Sequence, residues 1–364
     1  RARSDGPDFP WREMAGAIFL PNLLFSIGQG AILPVIPVVA VNLGSSLAGS
    51  GMVAAMLVVG ALVADLPAGA LVAKVGERAG MVGALVLASL GVGLALFAQT
   101  PWLFGLAVFV MGTATAVFYL ARHAFMTTFV PAEVRARAMS TLGGTFLLGY
   151  LIVPFGTAWL IDMTGQVKSA LWIQLAGCLA AGAAVLAFKD PEKAMAAATP
   201  EAHRAPTAGL FRALRTNRRT LATVGTGAGL LSARRAGRQV LLPMWGLSLG
   251  LGESYIAVVI GIAGVVDCAL FYTGGWLMDR FGRMWVILPC QIAMGVGYVG
   301  LSFTHDWPAA AKWFVAGAVF LSLANGIGSG ILILSARTWP TRPTRPRSWE
   351  PGGSRPTPAQ RSLP

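Results

Sequence analysis

The sequence predicts an all-α membrane protein of two pseudo-symmetric helix bundles, and three observations carry that prediction. Hydrophobic residues make up 55% of the 364 and charged residues only 12%, a balance foreign to a soluble chain of this length. Apolar stretches recur ten times along the chain, each of about 20 residues, the length that crosses a hydrocarbon core of about 30 Å. A fixed internal offset completes the case: without a gap, Pro37 falls on Pro243, Leu43 on Leu249, Gly44 on Gly250, Val53 on Val259, Leu71 on Leu277 and Gly76 on Gly282, each pair 206 positions apart. Such an offset signals a duplicated helical unit.

The expected spans run from 14 to 41, 49 to 73, 80 to 99, 102 to 122, 139 to 161, 169 to 188, 220 to 247, 254 to 278, 284 to 303 and 309 to 334. Arg1, Arg3 and Arg12 precede the first, which Pro34 and Pro37 are expected to bend, as Pro243 bends the seventh. Lys74 and Arg78 follow the second span; Arg122, Arg135 and Arg137 follow the fourth. A long basic connection with Lys189, Lys193 and Arg204 follows the sixth, and Arg280 and Arg283 follow the eighth. The alternate connections carry only Lys168 and Lys312. The formal charge of +13 is therefore read as topological rather than as a nucleic-acid footprint, with the N-terminus and even-numbered connections cytoplasmic. The expected setting is the plasma membrane, crossed many times.

Four regions follow: an N-terminal six-helix half at 1–188, a cytoplasmic linker at 189–219, a C-terminal half at 220–334, and a Pro/Arg-rich tail at 335–364. The tail has no composition for a span. Codons compatible with it, read in another frame, give an ordinary loop leading to a further helix, so a frameshift near residue 334 is one expectation and a natural disordered tail the other. Cys178, Cys268 and Cys290 all fall within spans and suggest neither a disulfide framework nor a metal site.

The ten residues Gly275-Trp-Leu-Met-Asp-Arg-Phe-Gly-Arg-Met284 join the eighth and ninth spans, and Gly69-Ala-Leu-Val-Ala-Lys-Val-Gly-Glu-Arg78 holds the same place in the first half. Both resemble the loop signature of the major facilitator superfamily, Gly-x-Leu-x-Asp-Arg/Lys-x-Gly-Arg-Arg/Lys. The resemblance implies that family's fold, with about ten helices present of an expected twelve. It also implies a gating role for Gly69, Lys74, Gly76, Arg78, Gly275, Asp279, Arg280, Gly282 and Arg283. The second copy matches fully, whereas Ala73 and Glu77 depart from the first.

Charges inside spans cost about 2.5 to 3.5 kcal/mol each at the centre, so they mark function or pairing. Arg234, Arg235 and Arg238 lie mid-span on broadly one side of the seventh. They either grip an anionic solute, through the guanidinium's bidentate fork, or pair with Asp267 or Asp65. Asp267 and Asp65 are the proton-coupling candidates, since solvation and a neighbouring arginine set a carboxylate's protonation. Gln29 and Asn325 are further solute-contact candidates, their spans lining the cavity in the resembled family. Val108 stands where proton-coupled drug exporters of that family usually carry Arg, and the exporter signature of the fifth span survives only around Gly149 to Gly156.

No nucleophile with its base, Walker loop or metal-ligand spacing lies outside the spans, so neither an enzyme, an ATP-driven pump nor a cofactor is expected. The leading expectation is a monomeric secondary transporter of a small solute by alternating access, coupled to protons and exporting. Proton-linked uptake of an organic anion and a transport-inactive membrane protein are the alternatives. The expected partners are the solute, protons and the lipid bilayer.

Overall fold

The computed structural model describes residues 14–130, 132–188, 222 and 226–328. The linker at 189–219 and the tail at 335–364 lie outside the described residues. Among the described residues the chain is helical throughout, without a strand. A π-helical turn, Ala15–Phe19, leads into α1 (Leu20–Ile32), and α2 (Ile36–Asn42) completes the first span. Pro34 has no N–H to continue the helix, so the chain tightens there, with the Val35 N–H on the Ile32 carbonyl at 2.9 Å. The expected bend is thus a break between two helices. Pro243, in contrast, sits within a continuous helix.

The remaining helices are α3 (Leu47–Val75), α4 (Glu77–Phe97), α5 (Pro101–Phe129), α6 (Ala132–Thr164), α7 (Ala170–Ala187), α8 (Thr226–Ser248), α9 (Glu253–Phe281), α10 (Arg283–Ser302) and α11 (Ala310–Gly328). Local chemistry sets their starts. The Ser46 hydroxyl accepts from the Gly49 N–H at 3.1 Å and caps α3. Pro101 opens α5 where no internal N–H bond is lost. Nine helices among the described residues are long and apolar enough to cross a membrane; α8 falls outside that set because three arginines occupy its middle.

The internal offset is structural. Helices α3 and α9 are both 29 residues long, and they begin and end at positions 206 apart. Each then breaks at a glycine in nearly the same conformation, Gly76 at φ 88°, ψ 159° and Gly282 at φ 89°, ψ 151°. Only glycine adopts that region without strain, which explains why the residue recurs in both loops. Gly44 and Gly250 form a second pair with positive φ, 94° and 69°.

In the N-terminal half α3 packs along α5, while α1 lies between α6 and α7. Glycine permits these approaches: a Cβ at Gly60 or Gly112 would overlap the backbone of the facing helix at Phe109 or Leu57. In the C-terminal half α9 and α10 both pack on α11. The two halves meet at the end opposite the Gly76 and Gly282 loops. There Val240 and Leu247 of α8 join the core around Ile36, Val39 and Phe104, and Gly261 of α9 meets Pro154 and Phe155 of α6. Asn42 donates to Glu253 across the same seam at 2.7 Å. Large apolar side chains such as Leu62, Leu90 and Trp102 face outward, as a lipid-embedded bundle requires.

Candidate functional site

The middle of α8 carries a polar cluster that reaches three other helices. Arg238 donates to the Ser322 hydroxyl of α11 at 2.6 Å and forms an ion pair with Asp267 of α9; both charged side chains are 14% exposed. One turn away, Arg234 donates to Asn325 of α11 at 3.2 Å and contacts the Met294 sulfur of α10 at 2.6 Å. Its Nε is buried without a hydrogen-bond partner. Four helices thus converge on two guanidinium groups and one carboxylate.

This arrangement answers part of the expectation. Arg234, Arg238, Asp267 and Asn325 are brought together, and the carboxylate that pairs with Arg238 is Asp267. The side chain of Arg235 lies outside those described. Asp65 is exposed on α3, with no hydrogen bond or ion pair to an arginine among the described residues. Gln29 is buried in the other half, donating to Thr115 of α5 at 2.8 Å.

The repeat shows that charge at these positions belongs to one half only. At the positions matching Arg234, Arg238, Asp267 and Met294, the N-terminal half has Gly28, Ile32, Ala61 and Ala88. Gly28 is buried hard against Gln174 of α7. One scaffold therefore holds helix-packing residues in one copy and an ion pair in the other.

Sequence reasoning missed a second polar site. Arg122 was expected after the end of the fourth span, but α5 continues to Phe129 and buries Arg122 at 7% exposure. A hydropathy profile ends at a charge, whereas the helix continues because the charge has partners. Arg122 donates to Asn22 of α1, lies over the Tyr119 ring at 4.6 Å, and approaches His123 Nδ1 at 3.4 Å. Asn22 in turn donates to the Leu142 carbonyl at 3.2 Å and the Thr145 hydroxyl at 2.8 Å of α6. The usable signal was Asn22, a polar residue within an apolar span.

The loop residues divide by role. Arg78 donates to the carbonyls of Val185, Leu186 and Phe188 at 2.8, 3.1 and 3.0 Å, closing the end of α7. Glu77 occupies the first turn of α4, where the helix dipole favours an acid. Lys74 and Gly69 are exposed. Arg280 stacks over Trp276 and Phe281 at 5.3 and 5.6 Å. Gly275 lies within α9, and the side chains of Asp279 and Arg283 lie outside those described. Beside this loop a groove of about 670 Å³ is lined by Leu277, Phe281, Trp285, Pro289 and Phe320, all apolar.

Comparison with known proteins agrees with this architecture. The family model described as Major Facilitator Superfamily matches residues 18–347. The uncharacterized MFS-type transporter YfkF of Bacillus subtilis is 26% identical over 310 residues, covering 82% of this chain and 75% of the relative. The uncharacterized MFS-type transporter Rv1877 of Mycobacterium tuberculosis is 26% identical over 181 residues, 49% of this chain; that match spans about a quarter, 26%, of the mycobacterial protein's own length. Among solved structures, a D-xylose-proton symporter superposes with a TM-score of 0.66 at 15% identity, over 90% of this chain and 82% of that one. A bacterial homolog of the human lysosomal transporter Spinster, in an inward-facing and unoccupied conformation, gives 0.66 at 16% identity, over 92% and 77%. At these identities the structural likeness speaks for the fold.

Proposed function

The chain belongs to the major facilitator superfamily, a multi-pass membrane transporter family, and from that premise we propose that it is a proton-coupled secondary transporter of an organic anion, working by alternating access. The observation that carries this reading is the Arg238–Asp267 pair within the membrane-spanning bundle, flanked by Arg234 and Asn325. An anion arriving at Arg238 competes with Asp267 for the guanidinium. A displaced carboxylate in a poorly solvated site takes a proton more readily, because its stabilising charge is gone. By linkage, protonating Asp267 then strengthens anion binding by the same factor.

That reciprocity fixes a sign. Solute and proton bind together and so cross together, which favours uptake down a proton gradient over the export expected from general pattern. Closure of the halves at the end opposite the Gly76 and Gly282 loops, through Asn42 and Glu253, matches a state open toward those loops. With the N-terminus cytoplasmic, that state faces inward. A plasma-membrane location and a monomeric state complete the proposal; Gln29 and Asn325 serve as neutral polar contacts, and Asp65 as a surface carboxylate outside the coupling path. The test is flux into proteoliposomes: Asp267→Asn must abolish concentration of solute by a pH gradient while leaving solute exchange. If exchange and gradient-driven accumulation fall together in a folded Asp267→Asn protein, the residue serves the scaffold and the coupling assignment fails.

A further inference from the structure

Each half contains an arginine that reaches an asparagine across the same pair of helices, with the roles exchanged. In the C-terminal half the arginine is on the first helix of the repeat, α8, and the asparagine on the fourth, α11; in the N-terminal half Arg122 is on the fourth helix, α5, and Asn22 on the first, α1. The difference lies in the counter-charge. Arg238 and its neighbour Arg234 have Asp267 close by, whereas Arg122 has no carboxylate partner among the described residues. Its neighbours are an amide, an imidazole and an aromatic face.

A guanidinium does not lose its proton in a protein, so burial at 7% exposure leaves a full positive charge whose partners among the described residues are dipoles. Its Nε is buried without a hydrogen-bond partner among the described residues, a directed donor left over after Asn22 is served, since His123 Nδ1 donates to the Tyr119 carbonyl at 2.7 Å and accepts nothing from the guanidinium. Beyond it stretches a row of rings. Tyr119 meets Phe146 edge-on at 5.9 Å, and Phe146 meets Tyr150 at 4.6 Å, along the facing sides of α5 and α6. All three residues are half-buried, with the Tyr119 hydroxyl buried.

We propose that Arg122, Asn22 and the Tyr119–Phe146–Tyr150 row form an anion subsite in the N-terminal half, which takes the carboxylate or phosphate of an aromatic organic anion. The assignment of the occupant to transported solute rests on the transport reading; the anion site itself does not. An incoming oxyanion accepts from the Arg122 fork in place of the Asn22 side-chain oxygen, while the Asn22 NH2 group keeps its bonds to Leu142 and Thr145, and the solute's ring lies along the aromatic row. An anionic lipid headgroup presents the same phosphate chemistry, so the experiment separates the two sources.

The full chain is reconstituted in phosphatidylcholine nanodiscs and titrated with sodium benzoate against sodium chloride at constant ionic strength, with the thermal midpoint read by tryptophan fluorescence. Benzoate is expected to raise the midpoint of the unaltered protein, and Arg122→Gln to weaken its apparent affinity at least tenfold. Asn22→Asp places a carboxylate where the Asn22 amide now meets Arg122. It is expected to remove the benzoate response in a protein shown to be folded by monodisperse elution and an unchanged helical circular dichroism spectrum, which keeps the test valid should Arg122→Gln not fold. A missing response in the unaltered protein, or an unchanged one in Asn22→Asp, overturns the proposal. A response lost in Arg238→Gln but kept in Asn22→Asp moves the anion to the C-terminal cluster, overturning the subsite with the transport reading intact. A response present in phosphatidylcholine and abolished by phosphatidylglycerol gives the site to lipid and overturns the solute assignment. Benzoate binding that follows Arg122 in a protein without flux upholds the subsite while the transport reading falls.

Discussion

Arg238 of α8 and Asp267 of α9 form an ion pair whose side chains are each 14% exposed, in a bundle whose repeat-related positions are Ile32 and Ala61. The pair is therefore no requirement of the scaffold, since the other copy folds with two apolar residues there. It sits where an unpaired charge is costly, as the proposed coupling role requires.

Removing one member exposes that cost. Asp267→Ala leaves Arg238 uncompensated and is expected to lower stability by about 3 kcal/mol, Arg238→Ala by a similar amount, and the double variant by clearly less than the sum. Denaturation in mild detergent across the four proteins measures the coupling. Additive losses would mean that the two side chains do not interact.

The glycine seam between α3 and α5 predicts a steric penalty. Gly112→Val forces a side chain into the Leu57 backbone and should cost about 1–3 kcal/mol. Gly83 on α4 faces open space, so Gly83→Ala should be neutral or stabilising by up to about 1 kcal/mol. A thermal midpoint that falls for Gly112→Val and does not fall for Gly83→Ala checks the seam.

The loop glycines should behave alike. Gly76→Ala and Gly282→Ala each place a Cβ on a residue at φ 88° and 89°, with an expected cost of about 1–3 kcal/mol apiece. Unequal losses, measured by the same melts, would show that the two copies of the loop are not conformationally equivalent.

The contact between Asn42 and Glu253 predicts a crosslink. With Cys178, Cys268 and Cys290 replaced, an Asn42→Cys/Glu253→Cys protein should form a disulfide under mild oxidation, detected as a mobility shift on gels. A transported solute that opens this end should slow its formation. If bridging is no faster than in a single-cysteine control, the two halves are not joined there.

Much of the fold was legible because it depends on periodic and additive features. Apolar length located the spans, and the 206-residue offset aligned α3 with α9 down to their ends and the two positive-φ glycines that follow them. The arginines of α8 were legible as costly and the choice of Asp267 over Asp65 was not, because partner choice depends on which helices pack, and α8 packs on α9 and α11. Arg122 was misread for a related reason: a charge near a helix end counts as interfacial until the side chain's own neighbours, Asn22 and Tyr119, are known. Arg78 likewise gave no sign that its partners would be the carbonyls ending α7.

The most direct test of the central claim is gradient-driven flux in proteoliposomes carrying a lumenal pH dye, offered terephthalate and phenylphosphonate, whose charge keeps passive entry low, with protein-free liposomes as baseline. The account predicts that an acidic exterior drives solute inward together with protons for the unaltered protein, and that Asp267→Asn exchanges solute without moving protons or accumulating it. Accumulation that persists in Asp267→Asn, or protons moving against the solute rather than with it, would contradict it.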